Sequence, residues 1–178
     1  RHSKKETIAF IAHPQNLKYF RTYIEHLRPD KHFNDNLLLK LFEWTPPYKV
    51  KDWKNICIDG KNVFNGTMIM VPFLPEMRDI SPLNVIKKVE QAISIAAQNN
   101  CAIASLGAFT SIVIQNRERY LSEKYNIKLT SGNTLTATVI TKSIEDIAEK
   151  FNIKIQNQTL AIIGASGDIG TGCAVYFG

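Results

Sequence analysis

The chain has 178 residues, of which 44% are hydrophobic and 21% charged. That is a globular composition, with apolar material for one core and part of a second, and it excludes a disordered or collagen-like chain. The net charge of +6 comes from 22 Lys and Arg against 16 Asp and Glu. Because the basic residues are scattered, with no basic helix stripe and no interleaved aromatics, nucleic acid is not the expected partner. The excess leaves room for an acidic protein partner or for peripheral contact with a membrane surface.

No apolar run approaches the roughly 20 residues that a spanning helix needs, and the short apolar stretch behind the basic start is not a secretory signal. The chain therefore reads as cytosolic. Cys57, Cys101 and Cys173 are odd in number and far apart, which argues for buried, reduced thiols. No His or Cys pair has metal-ligand spacing, so no metal is expected. With no initiator Met, and with its last residues inside a helical pattern, the sequence reads as an excerpt of a longer protein.

In chain order, Thr7 to Ala12 is β-prone and runs into His13-Pro14. A helical pattern follows, with Leu17, Phe20, Ile24 and Leu27 on the inward face, and Asn34 to Phe42 suits a second short helix. Glu43 to Lys51 should be irregular, since Pro46-Pro47 fits neither a ladder nor a helix interior. Lys54 to Asp59 and Asn62 to Val71 are strand-like runs around Asp59-Gly60, a dipeptide made for a tight hairpin. Ser81-Pro82 opens a helix with Val85, Ile86, Val89, Ile93 and Ala96 or Ala97 inward, ended by Asn99-Asn100. Cys101 to Leu106 is a continuous apolar run, expected to be a strand buried on both faces. Short helices are expected after Thr110-Ser111 and over Arg117 to Tyr125, with a strand near Ile127 to Leu129. After Ser131-Gly132-Asn133-Thr134 comes a long amphipathic helix with Leu135, Val139, Ile140, Ile144, Ile147, Ala148 and Phe151 inward. Thr159 to Ile163 is a last apolar strand. The alternation predicts an α/β fold, a mostly parallel sheet flanked by helices, with one antiparallel edge element.

That last run leads straight into Gly164-Ala165-Ser166-Gly167-Asp168-Ile169-Gly170, with Ala174 and Val175 in helical register behind it. Strand, glycine turn and helix are the context of a dinucleotide site. Gly164 would turn the chain, Gly167 would admit a pyrophosphate to the backbone amides, and Gly170 would let the helix pack closely, with the helix N-terminus facing the phosphates. The G-x-x-G-x-x-G spacing is a variant of the usual motif. The residue that would separate NAD from NADP lies beyond Gly178. A redox reading on these grounds requires Ile163 to hand a strand of a parallel sheet directly to an unobstructed bend.

Other candidates follow strand ends and helix starts. Gly107, Phe109, Thr110 and Ser111 follow an apolar strand, the usual place for ligands in open α/β sheets. Gly132, Asn133, Thr134 and Thr136 open the long helix, where free amides and small polar side chains hold a carbonyl or phosphate, or where Asn133 is an ordinary cap. Glu76 reads as a general acid or base, or as an anchor for an irregular loop. His13 reads as a proton donor or as a structural imidazole. No G-x-S-x-G elbow supports hydrolysis.

At Phe73-Leu74-Pro75-Glu76-Met77, Leu106 to Val113, Thr130 to Thr134 with Thr136-Ala137, and Gly164 to Gly170, the sequence resembles the long-chain acyl-[acyl-carrier-protein] reductases of cyanobacteria. Ile11-Ala12-His13 and Pro46-Pro47 fit as well, and the likeness covers nearly the whole chain, about the first half of that family's length. The resemblance implies reduction of a fatty acyl thioester to an aldehyde with NADPH, NADH remaining open. It implies acyl carrier protein or acyl-CoA as donor, and a nucleophilic cysteine beyond Gly178. Ala12 and Ala108 stand where the family leads one to expect glycine, and Leu135 where a polar residue is expected. A more distant likeness to shikimate and methylene-tetrahydropterin dehydrogenases lies in Gly132-Asn133-Thr134 opening a helix that crosses between domains. The expected organisation is a substrate domain over 1–131, a crossing helix and linker over 132–157, and the start of a Rossmann-type domain over 158–178. A binding module without turnover is the reading from another class.

Overall fold

The computed structural model describes residues 7–74, 77 and 80–178. They form two units, one ending at Thr130 and the other running from Ser131 to Gly178. The first is built on five strands: β1 (Thr7–Ala12), β2 (Tyr48–Ile58), β3 (Lys61–Met70), β4 (Cys101–Leu106) and β5 (Lys128–Ser131), in the order β2-β3-β1-β4-β5. β1 runs parallel to both neighbours, with Ile11 opposite Ile69 on β3 and Leu106 on β4, while β2 is antiparallel to β3. The fold is therefore α/β with a mostly parallel sheet.

Local chemistry explains the boundaries. Asp59 and Gly60 both take positive φ, 50° and 74°, as a type I′ hairpin turn requires. Pairing begins at Tyr48 opposite Met70, so the expected irregular stretch is shorter than Glu43 to Lys51: the two prolines lie outside the ladder and the strand starts as soon as they are passed. Among the described residues the helices of this unit are α1 (Leu17–Leu27), α2 (Asp35–Trp44), α3 (Pro82–Gln98), α4 (Thr110–Val113) and α5 (Glu118–Tyr125). Pro82 occupies the first turn of α3, where its missing N–H costs nothing.

Val89, Ala92, Ile93 and Ala96 of α3 are buried together with Ala9, Ile11, Ile69, Val71, Ala104 and Leu106 of the sheet. β4 is not buried on both faces as expected, since Ala102 is exposed and Ile103 and Ser105 only half-buried. α3 lies on one face of the strand, and the side chains of the other face keep contact with solvent. Cys57 is likewise exposed rather than buried, because it stands on the edge strand β2, whereas Cys101 and Cys173 are buried. α5 is pinned to α3 through Glu90, whose carboxylate accepts from Lys124 Nζ at 2.6 Å and Tyr125 OH at 3.0 Å.

α1 and α2 form a smaller cluster in which Phe20, Leu38 and Phe42 pack with Leu74. Leu27, expected inward, is exposed at the helix end. Lys88 of α3 holds this cluster to the sheet. Its buried ammonium donates to Phe42 O at 3.2 Å, Thr45 O at 2.8 Å and Pro72 O at 2.8 Å, which uses all three protons. Burial pushes its pKa down to about 8, with Glu43 pulling weakly the other way. Lys88→Met strands three carbonyls and is expected to lower unfolding free energy by about 3 kcal/mol in urea titrations. Between about pH 8 and the free lysine range the unfolded chain binds the extra proton, so this group adds stability as pH rises there. The gap between wild type and Lys88→Met is expected to widen from pH 8 to 10.

The second unit holds α6 (Asn133–Lys150), a 3-10 turn (Ile155–Asn157) and α7 (Asp168–Phe177). Gly172 of α7 lies so close to α6 that a Cβ there would stand 3.0 Å from Ala137 Cβ. This contact selects small residues, so Ala137, Thr141 and Ala148 are the buried positions of α6. Leu135, Val139, Ile140, Ile147 and Phe151, expected inward, are exposed. Ile144 and Ile147 line a cleft of about 630 Å³ with Ile153, Leu160, Ile162 and Phe177. The expected strand Thr159 to Ile163 does not form: the segment belongs to no ladder, its amides find no internal acceptor, and Ile163 is fully exposed. Among the described residues of this unit it has no extended neighbour, and a lone extended segment cannot satisfy its backbone.

Candidate functional site

The end of β1 gathers a set of hydrogen-bonded polar groups. The ladder continues past the strands, with the Gly107 amide on Ile11 O and the Val71 amide on Ala12 O, both at 2.8 Å. The chain then turns at Gly107 to Thr110: Thr110, fully buried, donates its hydroxyl to Gly107 O at 2.7 Å and its amide to the same oxygen at 3.2 Å. Ala108 takes φ 54°, a left-handed conformation that glycine enters without steric cost. This fits the glycine that the family resemblance leads one to expect there. Phe109 and Ile112 project into solvent at 49% and 59% exposure, and Ser111 is half-buried. His13 is only 7% exposed; it receives the Phe109 amide on Nε2 at 3.2 Å and its ring packs 4.5 Å from that of Phe73. Both ring nitrogens have partners, which is the structural role. Glu76 lies outside the described residues.

Replacing Ala108 with glycine relieves that conformation at the cost of backbone entropy. Ala108→Gly is expected to stabilise the chain by about 0.5–1 kcal/mol, measured by denaturant unfolding.

In the second unit, Gly132 begins α6 without any side-chain cap, and Thr136 bonds Gly132 O through both its amide and its hydroxyl at 2.9 Å. Asn133 does not cap the helix; its side-chain amide donates to Asp168 Oδ2 at 2.9 Å. A cleft of about 310 Å³ lies beside this pair, lined by Ser131, Asn133, Thr134, Thr138, Asp168 and Tyr176 among others. Two sequence-expected sets thus meet here, Asn133 and Thr134 from the helix start and Asp168 from the glycine segment. Tyr176 closes the helix pair by donating to Glu145 Oε1 at 2.7 Å, a tie that the sequence pattern does not announce. Gly172 was equally hidden, standing beyond the recognisable glycine triplet.

The glycine segment is a tight bend, open around Gly164 and closely packed at Gly170. Gly164 takes φ 83° and a Cβ there would meet nothing within 4 Å. Gly167 donates its amide to Gly164 O at 3.0 Å, and Thr171 holds Ala165 O with its hydroxyl at 2.9 Å. A Cβ on Gly170 would stand 2.2 Å from Gly164 O, so the first turn of α7 sits directly on the bend. The amides of Asp168, Ile169 and Gly170 have no internal acceptor, as at any helix start. Gly170→Ala must push this bend away. It is expected to cost about 1–3 kcal/mol and to speed amide exchange over residues 164–171.

No family model matches the chain. Over 169 residues it is 31% identical to a long-chain acyl-[acyl-carrier-protein] reductase of Synechococcus elongatus, an alignment covering 90% of this chain and 48% of the relative. The chain thus spans about half the length of the curated relative it matches. A solved structure, that of a probable GTP-binding protein engB, aligns over 70% of this chain and 67% of its own at 16% identity and a TM-score of 0.29, which is too low to bear on fold or function. No helix among the described residues is long and apolar enough to cross a membrane.

Proposed function

We propose that the chain supplies the substrate-binding part, and the opening of the nucleotide-binding part, of a reductase that converts a fatty acyl thioester to an aldehyde with NADPH. The observation that carries this reading is the likeness to a long-chain acyl-[acyl-carrier-protein] reductase along 90% of the chain. The glycine bend ahead of α7, with the free amides of that helix's first turn, adds to it. The strand that the redox reading called for before that bend is absent, so the reading no longer draws support from a sheet in the second unit.

In this reading residues 1–131 form the substrate domain, 132–157 the crossing helix and linker, and 158–178 the first part of the cofactor domain. Gly164 to Gly170 receive the pyrophosphate of the dinucleotide on the free amides of the bend and of the first turn of α7. The residues assigned to the acyl thioester are, within the first unit, Gly107, Phe109, Thr110, Ser111 and Glu76 and, within the second unit taken by itself, Gly132, Asn133, Thr134 and Thr136. The acyl group passes from acyl carrier protein or acyl-CoA to a cysteine thiol outside these 178 residues, releasing the donor thiol. A bound dinucleotide would supply the hydride that replaces the cysteine sulfur on the carbonyl carbon, the aldehyde leaving and the thiol regaining its proton.

One observation favours a second reading, a binding module without turnover: the described residues of the second unit contain a glycine bend but no cofactor-domain sheet. NADPH oxidation by the intact protein that carries this chain separates the two. Turnover with palmitoyl carrier protein or palmitoyl-CoA is expected. Turnover only with shikimate-type or methylene-tetrahydropterin substrates moves the protein to the other dehydrogenases, and none at all leaves the binding module. By calorimetry, the 178 residues alone are expected to bind NADPH more weakly than micromolar, since one bend is not a dinucleotide domain.

A further inference from the structure

His13 is a small buried junction between three pieces of the first unit: the end of β1, the segment after β3 that carries Phe73, and the turn after β4. Its Nδ1 lies 2.8 Å from the Pro14 carbonyl. A carbonyl only accepts, so this nitrogen carries the ring proton. Nε2 then presents a lone pair, and the Phe109 amide donates to it at 3.2 Å. The ring also packs against Phe73 at 4.5 Å and Phe109 at 5.7 Å. Phe109 itself is half-exposed, so its backbone is fixed from below while its side chain faces outward.

The turn has its own closure, Thr110 on Gly107, which orders residues 107 and 110 but leaves the Phe109 amide without a partner inside the loop. An imidazole from another strand supplies that partner. Packing alone would be served by any flat ring, whereas the Nε2 lone pair has no purpose except to hold this amide.

We propose that His13, as its Nδ1–H tautomer, is a positioning residue that fixes Phe109 so that the 107–111 turn is set to receive the acyl part of a thioester; this rests on the acyl-thioester reading above. His13 does not touch the reacting atoms and transfers no proton. Its effect reaches the ligand through Phe109.

Three substitutions in the full chain separate the elements of this claim. His13→Phe keeps a ring between Phe73 and Phe109 and removes both polar atoms. His13→Gln places an acceptor near the position of Nε2, and His13→Asn places a donor near that of Nδ1 but reaches no further. Long-range proton–nitrogen spectra of the wild type at neutral pH are expected to show a protonated Nδ1 and an unprotonated Nε2. In His13→Phe the Phe109 amide is expected to exchange about tenfold faster, and palmitoyl-CoA to bind about tenfold more weakly, the equivalent of one lost hydrogen bond. His13→Gln is expected to restore both, and His13→Asn neither. An Nε2-protonated ring overturns the proposal. So does unchanged exchange and affinity in His13→Phe, or a His13→Gln that matches His13→Asn. Should His13→Phe fail to fold, the Gln and Asn pair decides alone. A wild type that binds no palmitoyl-CoA disproves both the acyl reading and the proposed acyl-receiving role of the turn, while the exchange measurements still decide whether His13 holds Phe109.

Discussion

The hydrogen bonds at the C-terminal end of β1 govern the geometry of the first unit. β1 is the central strand and runs parallel to β3 and β4, so the three chains leave the sheet side by side at the same edge. Ile11 and Ala12 carry the ladder one residue further by accepting the amides of Gly107 and Val71. The two outgoing segments therefore start from fixed points. His13 and Lys88 each hold one of these segments by different chemistry, His13 offering a lone pair to the Phe109 amide after β4 and Lys88 a proton to Pro72 O after β3, with its other two protons on Phe42 O and Thr45 O. Parallel strands end together, and what gathers at their end is irregular backbone whose polar groups need partners.

In the second unit the governing constraint is the close approach of α6 and α7. Small residues at Ala137 and Gly172 bring the helices together, and the approach joins Asn133 to Asp168 and Tyr176 to Glu145. The same closeness leaves Leu135, Val139, Ile140 and Phe151 of α6 exposed. Ile144 and Ile147 border the cleft with Leu160, Ile162 and Phe177, so one helix meets its partner closely through alanine and threonine and leaves a wider gap at its isoleucines.

Where period and punctuation agree, the sequence reads well. Asp59-Gly60, Ser81-Pro82 and Asn99-Asn100 mark turns and helix ends by backbone preferences that act locally, and each lies where it was expected. The misreadings share a cause, because burial on a face depends on what lies opposite. Cys101 to Leu106 is apolar but for Ser105, yet Ala102 is exposed and Ile103 and Ser105 are only half-buried. The α6 periodicity points to Leu135 and Val139, while contact with a glycine decides for Ala137. Thr159 to Ile163 has every local mark of a strand and lacks a ladder partner. Lys88 was invisible for the opposite reason: an amphipathic helix is expected to carry lysine, and only the fold shows three carbonyls converging on this one. Of the candidate sites, Asn133 with Asp168 and His13 with Phe109 are long-range pairs, 35 and 96 residues apart in sequence, that no local pattern encodes.

The run from Thr159 to Ile163 also has a bearing on solution behaviour. It is uncharged and β-prone, and no Asp, Glu, Lys or Arg stands between Lys154 and Asp168. Gatekeeper charges of the sort that discourage chains from stacking edge to edge are missing over this whole stretch. With its main-chain groups unpaired, such a run is a template for cross-β growth unless another strand lies along it. How readily this polypeptide stays dispersed at high concentration is thus decided by five residues that take no part in either core.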